Sequence, residues 1–133
     1  MELRDISTTF GKNAGKVWEI LNKRGPLKKE NILKITRLKD RDFYCAVGWL
    51  ARENKIAREE AELYKLDLTN LTYEIGSNAG KVWQVMNIWG EIDASTIKKL
   101  ADIDEAHLYC ALGWLAKENK LFVDENSTKY NIK

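Results

Sequence analysis

Gly11-Lys12-Asn13-Ala14-Gly15-Lys16-Val17-Trp18 returns 65 residues later as Gly76-Ser77-Asn78-Ala79-Gly80-Lys81-Val82-Trp83. Tyr44-Cys45-Ala46-Val47-Gly48-Trp49-Leu50-Ala51-Arg52-Glu53-Asn54-Lys55 returns at the same offset as Tyr109-Cys110-Ala111-Leu112-Gly113-Trp114-Leu115-Ala116-Lys117-Glu118-Asn119-Lys120. From Gly11 to Lys55, 21 of 45 positions are identical to their counterparts without a gap. Chance would give about two or three, so the chain is a tandem duplication of one small unit. The expected division is 1–67 and 68–133. The junction near Asp67 to Asn70 has no glycine or proline run, so no long flexible linker separates the halves.

Working outward through one unit, Asn13 or Asn78 is an expected helix N-cap. Behind it Ala14, Val17, Trp18 and Leu21 recur at helical spacing, as do Ala79, Val82, Trp83 and Met86. Gly25 and Gly90 end that helix, glycine being the common residue just past a C-terminus. A short extended piece holds Leu27 or Ile92. The pattern predicts a second helix over 29–36 and 94–101, with Ile32 and Ile35, or Ile97 and Leu100, facing inward. A tight turn then leads to a third helix over 40–53 and 105–118, which Asp104 can cap in the second copy. Phe43, Ala46, Val47 and Leu50 form its core stripe. Two short strands with a polar turn follow, Lys55–Arg58 with Tyr64–Leu66 and Lys120–Val123 with Tyr130–Ile132. The fold class is therefore mainly α with small β-hairpins: two tandem winged helix-turn-helix domains, three helices and a wing each.

The Asn-Ala-Gly-Lys-Val-Trp that opens the first helix and the Gly-Trp-Leu-Ala-(Arg/Lys)-Glu-Asn-Lys that closes the third carry a resemblance. They resemble a family of small prokaryotic winged helix-turn-helix domains that bears a domain-of-unknown-function label. The resemblance covers almost all of each repeat and implies the fold, while it is nearly silent about activity. Where such a family has one domain per chain, it implies a homodimer. Here the chain would supply both halves as an intramolecular pseudo-dimer.

Two further features bear on that pairing. Domains near 60 residues bury only about 60% of their unfolded surface and are marginal alone. The third helices also repeat Tyr44, Cys45, Gly48 and Trp49 as Tyr109, Cys110, Gly113 and Trp114, off the core stripe. A glycine inside a helix costs about 1 kcal/mol relative to alanine, so its presence in both copies points to a close neighbour. Two readings stand: these residues complete each domain's own core, or they form an inter-repeat or partner interface.

Composition narrows the function classes. The chain is 44% hydrophobic and 32% charged, and has no run of 18 apolar residues, so no membrane span is expected. Its start, Met1-Glu2-Leu3-Arg4-Asp5, has no signal-peptide core, and a cytoplasmic location follows by default. Two cysteines and one histidine cannot build a four-ligand zinc site, and reduced buried thiols are expected. No cofactor is expected. His107 stands alone opposite Asp42 in the other copy and reads as a surface or cap histidine. The Gly11 to Lys16 stretch lacks phosphate-loop spacing. The pairs Glu59-Glu60 and Asp124-Glu125 read as exposed turn residues. The reading is a non-enzyme.

Charge divides the halves. Residues 1–67 carry 15 Lys and Arg against 11 Asp and Glu, and residues 68–133 carry 7 against 9, net +4 and −2. The excess lies where a winged helix meets DNA, at Lys28, Lys29, Arg37, Lys39 and Arg41. The second copy holds mainly acids there and would repel phosphate. Two functions remain open: a DNA-binding or transcription-associated protein acting through repeat 1, or a protein-interaction or scaffold module that does not bind DNA.

Overall fold

The computed structural model describes residues 3–5, 7–124 and 128–133. Glu125, placed by sequence in the second wing, lies outside them. The first repeat contains β1 (Leu3–Asp5), α1 (Ser7–Arg24), β2 (Leu27–Lys28), α2 (Lys29–Thr36), α3 (Asp40–Arg52), β3 (Ile56–Glu59) and β4 (Leu63–Leu66). The second contains α4 (Thr72–Trp89), β5 (Ile92–Asp93), α5 (Ala94–Ala101), α6 (Glu105–Lys117), β6 (Leu121–Asp124) and β7 (Lys129–Ile132). Each repeat is thus three helices and a hairpin, with the short strand before its second helix adding to the wing.

Local chemistry explains most boundaries. α1 and α4 stop where Gly25 and Gly90 take φ of 77°, a left-handed region open to glycine, and their N–H groups bond Leu21 O and Met86 O. Asp93 caps α5 by accepting from Thr96 N at 2.8 Å, and Asp104 caps α6 by accepting from His107 N at 2.8 Å. Asn54 and Asn119, both at φ 61°, turn the chain from the third helix into the wing.

Three local expectations need correction. Asn13 and Asn78 are not N-caps, because α1 and α4 begin earlier, at Ser7 and Thr72. The apolar stripe continues backwards through Phe10 and Ile75, which are 5% and 0% exposed, so the added turn gains burial. Ile35 and Leu100 do not face inward; they are 40% and 45% exposed. Their eight-residue helices turn Ile32, and Ile97 with Ala101, into the core, which leaves Ile35 and Leu100 on the outer side. Asp124 is not an exposed turn residue. It is buried, and its carboxylate accepts from Thr128 N, Thr128 Oγ1 and Lys129 N at 2.6–3.0 Å, stapling the base of the wing.

Between the repeats, the residues ahead of each first helix cross to the other half. β1 pairs antiparallel with β6, so the second sheet runs β1-β6-β7-β5, while the first is β2-β4-β3. Phe10 and Cys45 lie in the core built mostly from the second repeat. Leu71, Ile75 and Cys110 lie in the core built mostly from the first. Among the described residues no strand adds to the outer edge of β3. There the Asn70 carboxamide accepts from Arg58 N at 3.0 Å and donates to Arg58 O at 2.8 Å, in place of a neighbouring peptide. Each core is therefore completed by the other half of the chain.

Candidate functional site: the third helices and the surfaces beside them

In a winged helix that reads DNA, the third helix lies in the major groove. Here α3 and α6 pack on each other. A Cβ placed on Gly48 would lie 2.8 Å from the Cys110 carbonyl carbon and 3.0 Å from Trp114 N. One on Gly113 would lie 2.7 Å from the Cys45 carbonyl carbon and 2.9 Å from its Cα. Only glycine permits backbones this close, which accounts for a residue that otherwise weakens both helices. Phe43, Cys45, Ala46, Val47, Gly48, Leu50 and Ala51 of α3 are buried, as is the matching run of α6 with Leu108 and Tyr109.

The flanks of this crossing are arranged in reciprocal pairs. Trp49 covers Gly11, whose added Cβ would lie 3.2 Å from its ring, and Trp114 covers Gly76 at 3.4 Å. Lys117 lies over the Trp49 ring at 5.3 Å and Arg52 over the Trp114 ring at 5.6 Å. Arg52 also pairs with Glu118 at 3.2 Å, and Lys117 with Glu53 at 3.6 Å. Off this axis, Arg58 of β3 donates to both Glu74 carboxylate oxygens of α4, at 2.8 and 2.9 Å. Tyr44 is half-buried on its own repeat, beside Phe43, under Lys29 and against Glu62.

The five basic residues singled out by sequence sit in different settings. Lys29 bonds Asp40 at 3.3 Å and sits 4.7 Å from the Tyr44 ring centroid. Arg41 is half-buried near Asp42 and faces a cavity shared with Asp93, Lys98, Glu105 and Tyr109 of the second repeat. Lys28, Arg37 and Lys39 are exposed, Arg37 at the left-handed end of α2. The wing beside them carries Glu59, Glu60 and Glu62, with Glu59 held by Lys65 at 2.6 Å.

Two apolar, exposed residues that sequence reading missed, Ile88 and Trp89, join the misplaced Leu100. Ile88, Trp89 and Leu100 are 72%, 62% and 45% exposed, around a groove between α4 and α5 that also holds Val85 and Lys81. The same groove in the first repeat holds Lys16, Glu19, Lys23 and Ile35, and Arg24 stands where Trp89 does. The signal was present in sequence, because Ile88-Trp89 stands where the otherwise similar first copy has Lys23-Arg24.

Reactive chemistry is sparse. Burial pushes both cysteine thiols up, away from the nucleophilic thiolate. His107 Nδ1 lies 2.9 Å from the cap carboxylate of Asp104, and its Nε2 lies 3.9 Å from Glu74. Among the described residues no three His, Cys, Asp or Glu gather as a metal site, and no helix is long and apolar enough to cross a membrane.

The model of one protein family, described as Winged helix-turn-helix domain (DUF2582), matches the chain twice, over residues 1–66 and 70–133. The chain belongs to this family and carries two of its domains. No curated protein and no solved structure gives a significant match.

Proposed function

From a winged helix pair whose third helices are buried on each other, we propose a protein-interaction module that works without reading DNA bases. The carrying observation is the glycine-to-backbone contact of α3 with α6, which covers the faces that would have to enter a major groove. A helix cannot fill that crossing and a groove at once. The acidic tips Asp40, Asp104 and Glu105 argue the same way, since they would face phosphate. The apolar cluster of Ile88, Trp89 and Leu100 is the surface favoured for a partner, as exposed aromatic and aliphatic groups gain most from being covered.

The test sets the two functions against each other in the full chain. DNA affinity is measured by fluorescence anisotropy over a salt series with random and AT-rich duplexes. Cross-linked partners are identified by mass spectrometry for the wild type and for Ile88→Glu with Trp89→Glu. The expected result is DNA binding no tighter than about 10 µM at physiological salt, without sequence preference, and a partner lost in the double variant. Sequence-dependent binding below about 1 µM, weakened by Lys28→Glu with Lys39→Glu, would overturn the proposal in favour of DNA recognition.

A further inference from the structure

We infer that each repeat holds a binding site for a small, flat, uncharged aromatic molecule, between its first and third helices. The glycines lead to it. The chain has eight, standing as four pairs 65 residues apart. Gly25 and Gly90 adopt positive φ, Gly48 and Gly113 meet backbone across the crossing, and Gly11 and Gly76 lie under the indoles of Trp49 and Trp114. Gly15 and Gly80 have no such reason. They sit at exposed positions inside helices, and among the described residues a Cβ on either would meet nothing within 4 Å. A glycine that weakens its helix and leaves open space is retained in both copies.

Beside Gly80 lies an open groove of about 390 Å³ in the second repeat. Gly80 and Ala79 lie along its α4 side, and Trp83 and Trp114 supply indoles to its lining. The size falls at the low end of small-molecule sites, and two tryptophans beside Ala79 and Leu115, with Glu118 and Lys120 at one end, suit a planar ring. The charges at its end are already paired: Glu118 lies 3.2 Å from Arg52 and 3.6 Å from Lys120. A charged ligand would have to break those pairs, whereas a neutral ring stacks beside them.

Internal comparison supplies the independent observation. Every residue lining this groove has the identical residue at its counterpart in the first repeat, Trp83 matching Trp18 and Glu118 matching Glu53. By contrast, between residues 26 and 43 only Ile32 and Lys34 match their counterparts. The two copies have diverged where DNA would be met and have stayed alike around the tryptophans. Trp18 is 38% exposed, so the first site is open to solvent as well. This site is separate from the Ile88 and Trp89 surface, and its test does not depend on the interaction proposal.

The experiment titrates the full chain with indole, adenosine and riboflavin, each uncharged and carrying a planar aromatic ring system. Calorimetry gives the stoichiometry, and proton–nitrogen spectra follow the five indole N–H signals. At least one probe is expected to bind with Kd below about 100 µM, at two molecules per chain, moving the signals of Trp18, Trp49, Trp83 and Trp114 and leaving Trp89 unmoved. Gly80→Leu should fill the groove and reduce the stoichiometry to one. Gly80→Ala should raise the melting temperature while weakening binding at that site. If all three probes fail below about 1 mM, or if Gly80→Ala lowers the melting temperature, the inference is overturned. Movement of Trp89 alone would overturn it too.

Discussion

Replacing Gly48 by alanine separates tertiary packing from helix propensity, because the two predict opposite signs. On propensity alone, alanine in the middle of α3 gains about 1 kcal/mol over glycine. Across the crossing, however, the new methyl would lie 2.8 Å from the Cys110 carbonyl carbon and 3.0 Å from Trp114 N. These are backbone atoms of α6, which cannot rotate away as a side chain can. Relief requires the helices to part, loosening the two tryptophan stacks and the Arg52–Glu118 and Lys117–Glu53 pairs beside them. Overpacking of this kind costs about 1–3 kcal/mol, and rigid atoms on both sides place it near the top of that range. Subtracting the propensity gain leaves a net loss of about 2 kcal/mol. Urea unfolding of the full chain, followed by circular dichroism, measures it. Gly113→Ala should cost a similar amount. The double variant should cost clearly less than the sum, because one separation of the helices accommodates both methyl groups. A Gly48→Ala protein more stable than wild type would refute the close crossing, and additive single losses would refute the shared relief.

Phe10→Ala should destabilise by about 3–5 kcal/mol and shift amide signals around Leu108 and Leu112 more than those around Leu50, since Phe10 lies in the second repeat's core. Glu74→Gln should cost about 1 kcal/mol in chemical denaturation, because it weakens a half-exposed, two-oxygen contact with Arg58 that ties β3 to α4. The Thr128 hydroxyl bond holds the Asp124 carboxyl below its usual range. Its contribution is therefore complete above the unfolded value near pH 4 and is lost as pH falls through the lower folded value. Stability measured from pH 6 down to pH 2 should fall less steeply in Asp124→Asn than in the wild type.

Much of this protein was legible in the sequence by itself. The 65-residue offset established the duplication, and helical spacing placed α2 and α5 at their observed ends. Capping chemistry located the start of α6 at Asp104, and the turn-forming glycines located the ends of α1 and α4. These are local matters, decided by a residue and its neighbours within a turn or two. Tertiary structure decided which half completes which core. Nothing within one repeat shows that Phe10, Cys45 and β1 serve the second repeat, or that Leu71, Ile75 and Cys110 serve the first. The same holds for Arg41, whose charge reads as a phosphate contact in sequence but which faces the second repeat in space. It holds again for Ile35 and Leu100, which the sequence pattern turns inward although the packing of α2 and α5 leaves them on the outer side. Periodicity gives a side chain's direction around its own helix. What that direction meets depends on where the other repeat lies, and here the approach of two glycine-bearing helices set that position.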